Sequence, residues 1–297
     1  MKAQLKADLM LLIVVFCWGF SFLMADIGVG DLGPFSLNAW RFLTAFFVAA
    51  LISIRRLKKI SRATLKYSLI LGLILSLLYT SMNYGLKNTT LANASFLCGL
   101  TVIFTPLLSS LIYRKAPESK LVFVALMCVC GIALLTLTEN LTIDFGNLIG
   151  DALCIICALV YAVHLLTTEK AVRTGDVDAY QLGVLQLGVT GLISLFMAIT
   201  LERFALPSSP AIWGSVLFLA VICTGLAYIV QTVAQQYTTA SHVGVINSFE
   251  TVFAGLVAYT IGKDALTAQS AAGAALIVLG LFILEMDFSA FRRKIKA

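Results

Sequence analysis

The chain has 297 residues, of which 60% are hydrophobic and only 12% charged; its mean hydropathy is +0.97 and its net charge +6. A soluble domain carries about twice that share of charge, and 21 basic and 15 acidic side chains cannot clothe a water-soluble globule of this length. Disorder, a secreted disulfide scaffold and an ordinary soluble enzyme are therefore excluded, and a polytopic membrane protein remains.

Ten apolar runs follow one another along the chain, each long enough to span at about 20 residues per crossing. The first, about 9–27, comes after Lys2 and Lys6 and resembles a signal peptide, but its match to a later segment makes a retained helix the expectation. It carries Trp18 at mid-span, away from the interface where tryptophan usually anchors. Stacking on a substrate and filling the core are both open for it. The second, about 35–54, holds Arg41 about two turns below the outer surface. Snorkelling, or pairing with Asp26, Asp31 or Asp151, is the expected reading of Arg41, and contact with a substrate carboxylate is the alternative. The basic stretch from Arg55 to Lys66 reads as an anchor at anionic headgroups. The third run, about 67–87, sets Ser76, Tyr79, Thr80 and Asn83 on much of one face. The fourth, about 91–113, aligns Asn93, Thr101 and Thr105 and is interrupted by Pro106, where a kink is expected. The fifth covers about 120–138.

The sixth run, about 147–168, sets Tyr161, His164 and Thr168 in a stripe; a lone histidine is more often packed and hydrogen-bonded than a ligand. The seventh covers about 179–200, and the eighth, about 211–235, spaces Thr224, Tyr228, Gln231 and Gln235 at steps of four, three and four. That is one polar stripe, and in lipid it must face protein or water. Lining a cavity and holding helices together by hydrogen bonds are both open. The ninth, about 238–261, begins near His242, read as structural, and carries Glu250 close to its centre. An ionisable group in a span costs about 2.5–3.5 kcal/mol on the insertion scale, so it needs a reason. Glu250 is read as a cavity carboxylate that binds a substrate ammonium or carries a coupling proton; a structural glutamate joining two helices is the alternative. Asn247, one turn away on the same face, is its partner or a substrate ligand. The tenth run covers about 267–286.

Continuously apolar runs of this length point to helices and not to the alternating strands of an outer-membrane barrel. With the N-terminus inside, the inner segments hold all the basic residues except Arg41 within a span and Lys87, Arg203 and Lys263 in the outer loops. That bias puts both termini on the cytoplasmic side and makes the number of spans even. The seven cysteines all fall in apolar runs; the lone pair Cys154 and Cys157 reads as packing, and neither metal nor cofactor is expected.

The chain also looks duplicated. Leu91–Leu135 can be laid on Thr239–Leu284 at an offset of about 148–149, which brings Ala92 onto Ala240, Arg114 onto Lys263 and Gly131 onto Gly280; Trp18-Gly19 falls on Tyr161-Ala162. An odd number of helices per half forces opposite insertion, so the expected domains are residues 1–140 and an inverted second repeat, 141–297. Inverted repeats are a mark of transporters, with the substrate site near the midplane between them.

Certain residues carry a further resemblance. They are Trp18-Gly19-Phe20-Ser21-Phe22, Arg41, Thr224-Gly-Leu-Ala-Tyr228 with Gln231, Thr238-Thr-Ala-Ser241, Ser248-Phe-Glu250-Thr-Val-Phe-Ala254, Gly262-Lys-Asp264, Gly273 and Gly280. In this order and spacing, over nearly the whole chain, the sequence resembles the EamA-type ten-helix exporters of the drug/metabolite transporter superfamily. The resemblance implies an all-α polytopic fold of ten transmembrane helices and export of amino acids or other small metabolites at the bacterial inner membrane. It supplies no single catalytic residue. The chain departs from the family by having Thr251 where members often have proline after the glutamate, and Gly262-Lys263-Asp264 where they often read Gly-Glu.

The expected function is a secondary transporter working by alternating access, with a midplane cavity lined by the first, third, fourth, sixth, eighth and ninth runs. The candidate substrate ligands are Trp18, Tyr79, Asn83, Thr101, Tyr161, His164, Tyr228, Gln231, Asn247 and Glu250, with Glu250 also the candidate coupling group. One acid among amides, tyrosines and hydroxyls suits an amine or a zwitterion, amino acids first and cationic or amphipathic drugs second. The expected partners are this small molecule and the lipid bilayer, with no nucleic acid, and the chain is a monomer or homodimer. A membrane-embedded enzyme lacks a convergent catalytic motif here. A non-transporting sensor or accessory subunit is disfavoured by the polar stripes.

Overall fold

The computed structural model describes residues 2–89, 91–136, 148–260 and 267–285. Among the described residues there is no strand. The helices of the first half are α1 (Lys2–Gly19), α2 (Ser21–Leu32), α3 (Pro34–Ile52), α4 (Arg62–Lys87), α5 (Leu91–Gly99), α6 (Thr101–Tyr113) and α7 (Ser119–Thr136). Those of the second are α8 (Leu148–Val172), α9 (Ala179–Leu201), α10 (Pro210–Phe218), α11 (Ala227–Ala234), α12 (Ala240–Asn247), α13 (Phe249–Thr260) and α14 (Ala268–Glu285), with a π-helical stretch, Leu219–Leu226, between α10 and α11. Six of these stretches are long and apolar enough to cross a membrane: α3, α4, Phe96–Tyr113, α8, α9 and Pro210–Ala234. The pair α1 and α2, bent by 40°, makes a seventh if it counts as one span. Helix occupies part of each of the ten expected runs, while length and hydropathy establish these six among the described residues. The Gly262-Lys263-Asp264 segment and the basic residues Arg292, Arg293, Lys294 and Lys296 lie outside the described residues.

Local sequence sets where the helices start. Side-chain oxygens of Ser61, Asp178, Ser209 and Thr239 accept from backbone N–H groups three residues on and cap α4, α9, α10 and α12. Large apolar side chains such as Leu51, Leu111, Phe196 and Phe282 stay exposed on the outer faces, as a lipid-facing surface requires. A large core of buried apolar residues joins both halves, from Val14 and Trp18 through Tyr79 to Tyr228 and Ile246, and a smaller one joins Leu71 to Ala171 and Leu182.

Three of the expected continuous runs break, and two of the breaks use the same device. The fourth run breaks at Leu100, between α5 and α6, while Pro106, where the kink was expected, sits inside α6. At Leu100 the backbone tightens to a bond from its N–H to the Leu97 carbonyl, and the Thr101 hydroxyl donates to the Cys98 carbonyl three residues back. The ninth run breaks at Ser248, between α12 and α13, without a proline; the Ser248 hydroxyl donates to the Val245 carbonyl at 2.6 Å. The break separates Asn247 and Glu250, which were expected on one regular turn. Leu100 and Ser248 are 148 residues apart. A third break, at Phe20, divides α1 from α2.

Two straps tie the halves at opposite ends. Gly33, with φ +79°, turns the chain into α3, and Glu202 at the end of α9 caps that helix: its Oε2 accepts from Phe35 N–H at 3.0 Å and Ser36 N–H at 3.1 Å. The Tyr84 hydroxyl donates to the other Glu202 oxygen at 3.2 Å, and the Trp40 indole donates to the Ala205 carbonyl at 3.0 Å while stacking on Phe204. At the other end, the Gln181 amide donates to the Arg56 and Lys59 carbonyls at 2.7 and 2.9 Å, and the Ser61 hydroxyl to the Asp176 carbonyl.

Candidate functional site

A cavity lies where the two broken helices meet α1, α4, α8 and α11. Gly99 and Ser248, at the breaks, both line it. Of the expected ligands, Trp18, Tyr79, Thr101, Tyr161, Tyr228, Asn247 and Glu250 line this cavity together. The aromatic rings form a connected wall, with Trp18 5.5 Å from Tyr228 and 6.1 Å from Tyr161, and Tyr79 6.1 Å from Tyr228, between centroids.

Hydrogen bonds fix these side chains. Tyr161 donates its hydroxyl to Gln231 Oε1 and accepts from the Asn247 amide, both at 2.9 Å. Tyr228 donates to the Tyr79 hydroxyl at 3.1 Å. Trp18 donates its indole N–H to the Cys223 carbonyl at 2.7 Å. That carbonyl is in the π-helical stretch, where the Ala227 N–H bonds the Ile222 and Thr224 carbonyls and bypasses Cys223. The wider winding thus presents a backbone acceptor to Trp18, in keeping with the use of π-turns at functional sites. Glu250 is half-buried on the cavity wall, and among the described residues its carboxylate makes no salt bridge.

Three expected ligands stand outside the cavity lining. Gln231 lies behind Tyr161, and His164 lies beside Tyr228 with its Nε2 2.9 Å from Gln186 Oε1. Asn83 donates to Asn38 Oδ1 at 2.8 Å, with both residues wholly buried. The first two support the wall; Asn83 joins α4 to α3.

Arg41 departs most from expectation. It is 1% exposed, so it does not snorkel, and among the described residues it has no acidic partner. Asp31 instead accepts from Ser208 and Asp151 from Thr89, while the Asp26 side chain lies outside what is described. The Arg41 Nε donates to the Thr224 hydroxyl and its Nη2 to the Tyr79 hydroxyl at 3.2 Å, and the guanidinium carbon lies 4.5 Å from the Tyr79 ring centroid. Its orientation is inward because the stripe on the eighth run and the face of α4 offer it oxygen acceptors that lipid does not. Ser21, Cys98, Cys157 and Thr251 also line the cavity without having been singled out as ligands. A cysteine in an apolar run gives no sequence signal that separates packing from lining.

A second, polar vestibule lies between the α6–α7 turn and the ends of α8 and α12, lined by Lys115, Lys120, Arg173 and His242 among others. His242 Nε2 lies 3.1 Å from Asp8 Oδ1. Among the described residues no cluster of His, Cys, Asp and Glu fits a metal ion.

A model of the EamA-like transporter family matches residues 5–137 and again 148–286. An uncharacterized transporter of Archaeoglobus fulgidus is 28% identical over 284 residues, 95% of this chain and 87% of its own length. The uncharacterized transporter YoaV of Bacillus subtilis is 25% identical over 302 residues, covering 98% of this chain and 100% of its own. A protein of known crystal structure superposes with a TM-score of 0.79 at 19% identity, covering 98% of this chain and 99% of that one, which is a likeness of fold alone.

Proposed function

The chain belongs to the EamA-like transporter family, and from that premise we propose that it is a secondary transporter exporting amino acids or similar small amine-bearing metabolites by alternating access. Family and relatives are membrane transporters of small molecules and not enzymes. The finer reading has ten spans in two inverted repeats, residues 1–140 and 141–297, with both termini on the cytoplasmic side of a bacterial inner membrane. Its support is the double match of the family model, the basic residues gathered in the expected inner loops, and the pair of breaks at Leu100 and Ser248. Broken helices facing each other across a repeat interface are where transporters hold substrate.

The observation that carries the amine reading is the wall itself: one unpaired carboxylate, Glu250, beside the Asn247 amide and the rings of Trp18, Tyr79, Tyr161 and Tyr228. A carboxylate supplies charge to an ammonium, and an aromatic face adds about 0.5–2 kcal/mol when the site is dry. The Asn247 amide and the Thr101 hydroxyl fix orientation. Glu250 also serves as the coupling group, exchanging a proton for the substrate ammonium on the same carboxylate, with Tyr79, Tyr161, Tyr228, Cys98 and Cys157 as the other titratable side chains on the cavity wall and Arg41 behind Tyr79.

The test is flux in proteoliposomes with an imposed pH gradient, using a panel of radiolabelled amino acids. We expect a gradient to accelerate wild-type transport and Glu250→Gln to lose that acceleration. If Glu250→Gln transports as well as wild type with the same response to pH, Glu250 is not the coupling group. If sugars or nucleotides are carried and no amine is, the amine reading fails.

A further inference from the structure

We propose that Arg41 is the carboxylate-recognising pole of the substrate site, so that the transporter selects α-amino acids and discriminates against the corresponding amines. This rests on the amine reading of the cavity given above. Arg41 is a fully buried cation whose only polar contacts among the described residues are two neutral hydroxyls, those of Thr224 and Tyr79. Its Nη1 is buried with no hydrogen-bond partner at all. A guanidinium carries five N–H donors in a rigid fork built for a carboxylate. Keeping it in a membrane interior with neutral partners and its Nη1 group unsatisfied is costly, and a purely structural role leaves that cost without a return.

The surroundings show where the missing anion belongs. The Tyr79 hydroxyl accepts from Arg41 and from Tyr228, and both tyrosines line the cavity. Tyr79 therefore links the guanidinium to the cavity that Glu250 lines. A swing of the Tyr79 side chain, carrying its hydroxyl oxygen off Arg41, exposes the fork to a ligand whose ammonium lies at Glu250 and the aromatic rings. A zwitterion meets both with opposite charge, whereas an amine lacking the carboxylate leaves Arg41 as it is and brings a second cation near it.

The test compares pairs of ligands on the intact purified protein. Leucine is set against 3-methylbutylamine, phenylalanine against phenethylamine and threonine against 1-amino-2-propanol, by equilibrium binding and by counterflow in proteoliposomes. We expect wild type to prefer the amino acid of whichever pair it accepts by about 10²-fold or more, since a site built to bond a polar group rejects the analogue that lacks it. Arg41→Gln should bring that ratio close to one, and Arg41→Lys should restore part of it. Equal binding of amine and amino acid by wild type overturns the role of Arg41 and leaves the amine reading standing. A preference for the amino acid that survives in folded Arg41→Gln also overturns it. If no member of any pair binds while sugars or nucleotides do, the amine reading itself fails and this inference with it. Should Arg41→Gln not fold, the wild-type ratio and Arg41→Lys decide alone.

Discussion

The hydroxyl of Tyr161 stands between two amides, accepting from Asn247 on α12 and donating to Gln231 on α11. The three groups are bonded to one another in one network, so their value is mutual. Tyr161→Phe keeps the ring against Trp18 but leaves both amides short of a partner. Hydrogen bonds between membrane helices are worth about 0.6–2 kcal/mol, and two are lost here. We expect a lower melting temperature in detergent and weakened substrate binding, read by thermal shift and by equilibrium binding. Unchanged values for both would mean that the Tyr161 bridge contributes nothing. Arg41 teaches the complementary point. The sequence marks it as a charge in a span but cannot say which way it points, because that depends on Thr224 and Tyr79, which are remote in sequence from it and brought close only by the packing of α3 against α4 and the π-helical stretch.

At the scale of helices, hydropathy alone locates the runs, since a segment in lipid must satisfy its own backbone and be apolar along its length. The polar stripe of Thr224, Tyr228, Gln231 and Gln235 was legible for the same reason, and all four are buried. Breaks were less legible. Pro106 is the obvious breaker, yet the interruptions fall at Leu100 and Ser248, where the hydroxyls of Thr101 and Ser248 bond carbonyls three residues back, a competition with the helix that any Ser or Thr can offer. Close packing is carried by glycine between α7 and α14. A Cβ on Gly131 would lie 2.7 Å from the Gly273 carbonyl oxygen and 2.6 Å from Ile277 Cγ1. Gly131→Val should therefore force these helices apart and cost about 1–3 kcal/mol, as overpacking does. Thermal unfolding in detergent measures it, and an unaltered melting temperature would show that the two helices are not seated as described.

For the whole molecule, the two straps are chemically unequal. One is a carboxylate, Glu202, on the N-terminus of α3, and the other is a neutral amide, Gln181, on two carbonyls. Charge-assisted bonds are roughly twice as strong as neutral ones, so the Glu202 end is held more firmly, while the polar vestibule lies among segments expected on the opposite side. Glu202→Gln keeps the shape and removes the charge. We expect it to loosen that end, so that a membrane-impermeant maleimide added from that side modifies cavity-lining Cys157 faster than in wild type, followed by mass spectrometry of the peptide. Equal rates would mean that the Glu202 strap does not govern access to Cys157.

The guanidinium of Arg41 and the carboxylate of Glu250, neither in a salt bridge among the described residues, bear, finally, on electricity. With Glu250 ionised, the two charges cancel, and a zwitterion joining them adds nothing to the sum. The loaded carrier then crosses the bilayer's field without doing electrical work. A single proton on Glu250 unbalances the sum by one charge, worth about 2.3 kcal/mol per 100 mV. The voltage sensitivity of transport, set with a potassium diffusion potential, therefore counts the protons exchanged for each substrate.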